Sequence, residues 1–311
     1  MKGTDRERVL AALGTAVVLL ALPALVWVGL RTGDLAAGPT PDAVPSPTTS
    51  ARATPSVTPT PTPTPTVVPV EPALATAFDA EVARLGGSYA LAWLDADGLH
   101  VLGSAPGDTA WSTIKVPLAL AAVEDDPSAS TWTHVEAALS RSDNAAADAL
   151  WSGLGDPDAA AEAVDAVLAA YGSPATRTQG ERVIPEYSPY GQTQWAVPDA
   201  TRFAAALACA PAASAAGEIR AVMAEVVAEQ RWGIGELDSA HFKGGWGPEG
   251  SGAYVLRQLG DARVGTERYA LALSARADDG VYASAAGDVT ALVRWWAETV
   301  APGRAGLTCE D

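Results

Sequence analysis

Residues 36–72 are mostly Pro, Thr, Ser, Ala and Val, with Thr and Pro alternating over 58–65. Such a stretch cannot bury a core, and its prolines hold the backbone in extended polyproline-type conformation. It therefore divides the chain: a globular fold has to be built from residues 73–311, and whatever precedes residue 36 is a separate piece. At about 3.1 Å per residue, the stretch spans on the order of 100 Å and reads as a stalk.

Ahead of the stalk, residues 9–30 carry no charge before Arg31. That run is long enough to cross a bilayer as a helix. Lys2, Arg6 and Arg8 precede it, so the positive-inside bias makes residues 1–8 a cytoplasmic tail and exports the rest. A cleaved signal segment is the competing reading, but its apolar region is usually shorter and ends at small residues. No cysteine lies near the end of the run, which argues against a lipid anchor. The expectation is a single-pass protein of the cell membrane with an extracytoplasmic C-terminal domain.

An apolar fraction of 48% is ample for a core in that domain. The formal charge of -17 excludes nucleic acid as a partner, because a polyanion would be repelled over most of the surface. Cys209 and Cys309 both fall in the exported part, where a disulfide can persist. His100, His134 and His241 are scattered without ligand spacing, so neither a metal nor another cofactor is expected.

Along 73–311, the pattern predicts a helix over 73–85, punctuated by Gly86-Gly87. A β-hairpin follows, with strands at 88–94 and 99–103 joined through Asp95-Ala96-Asp97-Gly98. A helix begins soon after Asp108, with Pro117 tolerable only near its start. Asp126-Pro127, Asp156-Pro157 and Gly172-Ser173-Pro174 separate further helical segments. Residues 175–197 lack periodicity, and 198–207 read as a helix. Strands around 241–246, 253–258 and 268–274 come next, then a closing helix over 285–299 with Ser284 as candidate cap.

Three polar clusters stand out. In Trp111-Ser112-Thr113-Ile114-Lys115, Ser112 and Lys115 are three apart at a helix start and project to one side. A serine hydroxyl needs a base and a place for the developing oxyanion; the amine and the free N–H groups of a helix start are candidates for both. S-x-x-K is also a common chance pattern. Ser142-Asp143-Asn144 opens another helix, where the same residues serve as an ordinary cap. Lys243-Gly244-Gly245 follows apolar residues in a strand, where a lysine also protects an exposed edge.

In this order, S-x-x-K, S-D-N and K-G-G resemble the signature of the serine β-lactamase and penicillin-binding-protein superfamily, most closely the class A β-lactamase-like serine hydrolases. Ser112-Thr113-Ile114-Lys115-Val116 is similar to the family's S-T-F-K-V, and Ser142-Asp143-Asn144-Ala145-Ala146-Ala147 to its S-D-N-T-A-A. The resemblance covers about residues 73–311. It implies an α+β fold in which an antiparallel sheet of about five strands is flanked by helices. Ser112 and Ser142 are only 30 residues apart, a shorter interval than in class A enzymes, which implies a reduced helical subdomain.

The resemblance also assigns roles. Ser112 is the nucleophile and Lys115 its base; Ser142 and Lys243 relay protons, and Asn144 positions Lys115 and the substrate. Gly244, Gly245 and Trp246 border the substrate, with the N–H of Trp246 completing an oxyanion hole. Gly244 lacks the hydroxyl the family usually offers to a substrate carboxylate. Residues 177–187 occupy the place of the omega loop, whose glutamate activates the deacylating water; Glu181 is the better match and Glu186 the fallback, although E-x-x-L-N is absent. Trp195 and Trp246 are candidates for the cleft wall, with core packing as the alternative.

The expected protein is a monomeric, membrane-anchored serine hydrolase acting on a β-lactam or cell-wall peptide. The alternative is a catalytically weak sensor or cell-wall binding module, motivated by the shortened helical region, the atypical loop and Gly244.

Overall fold

The structure is a computed structural model that describes residues 66–250 and 252–309. The cytoplasmic tail 1–8, the apolar run 9–30 and the stalk up to residue 65 lie outside the described residues. Among the described residues, no helix is long and apolar enough to cross a membrane.

The chain runs through α1 (Pro72–Leu85), β1 (Gly87–Asp95), β2 (Gly98–Gly103), a 3₁₀ turn (Trp111–Ile114) and α2 (Lys115–Asp125). Next come α3 (Ala129–Ser140), α4 (Asn144–Gly153), α5 (Pro157–Ala170), α6 (Val197–Ala208) and α7 (Ala215–Val222). Three long strands follow, β3 (Asp238–Pro248), β4 (Tyr254–Val264) and β5 (Glu267–Ala277), and α8 (Tyr282–Thr299) closes the fold. The five strands form one antiparallel sheet in the order β2-β1-β5-β4-β3, the α+β arrangement expected from the motifs.

Strand periodicity explains how both faces of this sheet are covered. In β1, Tyr89, Leu91 and Trp93 point into one core with Phe78 of α1 and Trp296 of α8. The alternate residues Ala90, Ala92 and Leu94 point into a second core with α2 and α6. β5 repeats the division, with Leu271 and Leu273 on the first face and Ala270 and Ala272 on the second. Alanines on one face let helices approach the backbone closely, and burial on both faces makes these strands apolar at successive positions. α2 is buried from Lys115 to Val123, which is why its sequence is apolar all round. Pro117 falls in its first turn, where a helix tolerates proline.

Two details add to the expectation. Residues 66–68, read as the end of the stalk, pair with β2: Leu99 N donates to Thr66 O (3.1 Å) and Val68 N to Leu99 O (2.8 Å). The last residues of the stalk dock on β2 because an edge strand offers unpaired backbone groups. Gly98 permits this approach, since a Cβ there would stand 2.9 Å from Thr66 O. At the other end, Ser284 does not cap α8; it lies inside the helix and its hydroxyl donates to Asp279 Oδ2 (2.6 Å). Cys209, just past α6, is bonded to Cys309, with 5.3 Å between their Cα atoms.

Only α3 fills the interval between α2 and α4, so the helical layer beside the nucleophile is short. The turn carrying Ser112, the start of α4 and the edge strand β3 meet at one end of the sheet.

Candidate active site

The chain enters the Ser112 turn through Trp111, a non-glycine residue with φ of 50°. This left-handed backbone is uncommon outside glycine and costs on the order of 1 kcal/mol. Ser112 then sits in a 3₁₀ turn, with three residues per turn, and Lys115 N closes that turn by donating to Ser112 O. Thr113 fixes the turn by donating from both N and Oγ1 to Ala110 O (3.1 and 2.6 Å). Ala110 N in turn donates to Thr193 O (2.8 Å), which ties the turn to the aperiodic segment.

Lys115 is almost fully buried, yet its ammonium has partners. Nζ donates to Ser142 O (2.7 Å) and Asn144 Oδ1 (2.7 Å), with Ser142 Oγ at 3.5 Å and Asp143 O at 3.4 Å. Ser142 offers both oxygens because it is left-handed, with φ of 59°, and Asp143 caps α4 by accepting from Ala146 N (2.9 Å). Burial brings the pKa of Lys115 down to about 8, against the opposing pull of Asp143 and Asp148. Among the described residues, Ser112 Oγ makes no hydrogen bond, so the direct Lys115 contact expected at helical spacing is not formed. The reason is competition: the three ammonium protons are drawn to the carbonyl and amide oxygens of the Ser142-Asp143-Asn144 turn.

Lys243 reaches the same turn from β3. It is completely buried, and Nζ donates to Ser142 Oγ (2.9 Å) and to Gly244 O (2.8 Å). Burial drives its pKa well below the usual ammonium range, and the neighbouring charge of Lys115 adds to the fall. The Ser142 hydroxyl thus stands between two amines whose burial favours the neutral form.

The two glycines face opposite ways. A Cβ on Gly245 would stand 2.6 Å from Ser112 N and 2.9 Å from Thr113 N, so glycine is what lets β3 lie against the nucleophile's backbone. A Cβ on Gly244 would instead meet the Trp232 indole at 3.0 Å. Gly244 therefore faces the core packing around Trp232 and is not part of the cleft wall. Trp246 does line the cleft, its ring 5.2 Å from Tyr282. Trp195 does not: it is fully buried against Phe203 and donates from Nε1 to Ser173 Oγ (3.1 Å).

Ser112, Lys115, Ser142, Asn144 and Trp246 share a cleft of about 420 Å³. Of the two loop carboxylates, Glu186 borders this cleft. Glu181, the better match by sequence position, lies in a neighbouring hollow with Asp156 and Asp158. Gln192 explains the difference, because its side chain clamps the main chain at Ile184, Tyr187 and Ser188 and turns that part of the loop toward Ser112. Tyr187 then packs edge-on against Trp111 at 5.1 Å.

Two cleft residues escaped the sequence reading. Asp148 follows Asn144 by one helical turn, and Tyr190 donates its hydroxyl to Asp148 Oδ1 (2.6 Å). The i, i+4 spacing from Asn144 marks Asp148 as sharing its face. Tyr190 carries no local signal. Among the described residues, no group of three His, Cys, Asp or Glu side chains is arranged to hold a metal.

No family model matches the chain, and no curated protein matches it either. Solved structures do. A class A β-lactamase from Bacteroides cellulosilyticus aligns with a TM-score of 0.60 at 14% identity, covering 72% of this chain and 96% of that one. A β-lactamase from Desulfarculus baarsii aligns at 0.54 and 22% identity, over 76% of this chain and 100% of that one. One from Burkholderia vietnamiensis aligns at 0.54 and 17%, over 74% and 98%. At these identities the likeness establishes the fold alone, one shared with class A β-lactamases.

Proposed function

We propose that this chain is a serine hydrolase that opens an amide of the β-lactam or cell-wall peptide type through an acyl-enzyme on Ser112. The observation that carries the reading is the Ser142 hydroxyl held between Lys243 Nζ (2.9 Å) and Lys115 Nζ (3.5 Å) beside Ser112. Amines buried this deeply are poor places to keep charge, and a hydroxyl between them is a path for protons.

In this mechanism neutral Lys115 takes the Ser112 proton as Oγ attacks the carbonyl carbon. The oxyanion is held by the N–H groups of Ser112 and of Trp246, the residue after Gly245, which packs against Ser112 N. As the C–N bond breaks, Ser142 passes a proton to the leaving nitrogen and is reprotonated from Lys115 or Lys243. Asn144 holds Lys115 in place through its 2.7 Å bond. Water then releases the acyl group. The names of the similar solved structures, all β-lactamases, favour a β-lactam as the first substrate to try.

The apolar run 9–30 with its basic flank, followed by the Pro/Thr stalk, supports a membrane-anchored enzyme whose catalytic domain works outside the cytoplasm. A binding or sensing role with slow turnover is the second reading, favoured by the short helical layer beside Ser112, where α3 alone fills the interval between α2 and α4.

A fluorescent penicillin separates the readings. Turnover with transient label on Ser112 supports the hydrolase, and lasting label supports the sensor. Label that survives Ser112→Ala contradicts both.

A further inference from the structure

Release of the acyl group needs a base for water, and neither loop glutamate is fixed for that task. Glu181 lies in the neighbouring hollow, and Glu186 is exposed with no hydrogen bond among the described residues. Asp148 is exposed as well and borders both hollows, but its carboxylate is held. It projects from α4 one turn beyond Asn144, lines the cleft with Ser112 and Lys115, and is near enough to Lys115 for its charge to act on that amine.

Tyr190 holds it. The tyrosine is buried, its ring lies 5.2 Å from that of Trp151, and its hydroxyl donates to Asp148 Oδ1 at 2.6 Å. Burial and the adjacent carboxylate keep this hydroxyl protonated, so it is the donor throughout the working pH range. Its main chain is anchored as well: Thr193 Oγ1 donates to Tyr190 O (2.7 Å), and Thr193 O accepts from Ala110 N beside the nucleophile turn. One carboxylate oxygen is thereby engaged, while Oδ2 of this exposed, cleft-lining side chain has no hydrogen bond among the described residues.

We infer that Asp148 is the general base that activates water for deacylation of Ser112, with Tyr190 as its positioning residue. The inference rests on the acyl-enzyme reading above. Water gives a proton to Asp148 Oδ2 while its oxygen bonds to the acyl carbon, and the carbonyl electron pair moves onto the oxyanion. When the intermediate collapses, the C–Oγ bond breaks. The proton on Asp148 passes through Lys115 to Ser112 Oγ, restoring the serine hydroxyl and the Asp148 carboxylate. A base on a packed helix, held by a buried donor, is better fixed than one on an exposed loop.

The test follows loss of a fluorescent penicillin from Ser112 after a rapid chase, in the native protein and in Asp148→Asn, Asp148→Glu, Tyr190→Phe, Glu181→Gln and Glu186→Gln. Asp148→Asn still acquires label and releases it about 100-fold or more slowly. Asp148→Glu, which keeps a carboxylate one methylene further out, releases faster than Asp148→Asn. Tyr190→Phe acquires label at the native rate and releases it at least about tenfold more slowly, because the carboxylate is no longer held. Native release rates in Asp148→Asn, equal rates in Asp148→Asn and Asp148→Glu, native release in Tyr190→Phe, or slowing confined to Glu181→Gln or Glu186→Gln would each overturn the inference. So would a folded Asp148→Asn that takes no label, or a native protein that labels and never releases; that last result leaves the acyl-enzyme reading standing. A native protein that takes no label overturns both.

Discussion

The hydroxyl of Ser142 lies 2.9 Å from Nζ of Lys243, although the two residues are 101 positions apart in the chain. The contact joins the start of α4 to the edge strand β3, across the cleft that Ser112 borders. If the pair relays protons, losing either member breaks the same path. Ser142→Ala and Lys243→Ala are each expected to slow acylation by about 100-fold to 10,000-fold. The double variant should cost little more than either single one, since residues that act as a unit are not additive. Acylation rates with a fluorescent penicillin check this.

Lys115 sets the pH dependence. With its pKa brought down to about 8 by burial, the neutral amine becomes the main form above that pH. Acylation should rise with pH and level off above an inflection near 8. Stability follows the same group. In the unfolded chain the amine holds its proton up to about 10.5, so between pH 8 and 10.5 the unfolded state binds more protons and folding gains with rising pH. Below pH 8 the burial penalty is fully present. Urea melts across this window in native protein and Lys115→Met show whether that gain depends on Lys115.

Gly245 and Gly244 make a paired test. Gly245→Ala drives a methyl group against Ser112 N at 2.6 Å and Ala110 O at 3.0 Å, both backbone atoms of the nucleophile turn. It should displace that turn, lower acylation by 100-fold or more, and cost about 1–3 kcal/mol of stability. Gly244→Ala meets only the edge of the Trp232 ring. Its effect should fall on stability, with acylation changed less than tenfold. Denaturant melts and labelling rates on the two variants separate these outcomes.

The Cys209–Cys309 disulfide closes a loop of 100 residues and ties the tail to the end of α6. Its loss constrains the unfolded chain less, and Cys209→Ser/Cys309→Ser should lose about 2–4 kcal/mol in urea unfolding. Neither cysteine borders the cleft, so the labelling rate at 25 °C should be retained.

Legibility in the sequence followed the range of the forces involved. The hairpin of β1 and β2 and the limits of α1 and α6 were readable because turn residues and periodicity act locally. β4 and β5 extend past the residues expected, since their later positions are set by pairing with partner strands rather than by composition. The three polar clusters could be found as motifs, and Asn144 sits where the motif implied. Sequence spacing could not reveal that the Lys115 ammonium bonds to oxygens of Ser142 and Asn144, because that depends on the left-handed backbone at Ser142. Counting along the loop favoured Glu181 over Glu186 because it ignored how Gln192 folds the segment back on itself. Tyr190 was invisible for the same reason: its partner Asp148 is 42 residues away.

The most direct measurement is the intact mass of the protein after brief exposure to a penicillin at pH 8, followed by peptide mapping. The account predicts a mass increase of one penicillin, located on the peptide that contains Ser112 and abolished by Ser112→Ala. An unmodified protein, or an adduct that persists when Ser112 is replaced, would contradict it.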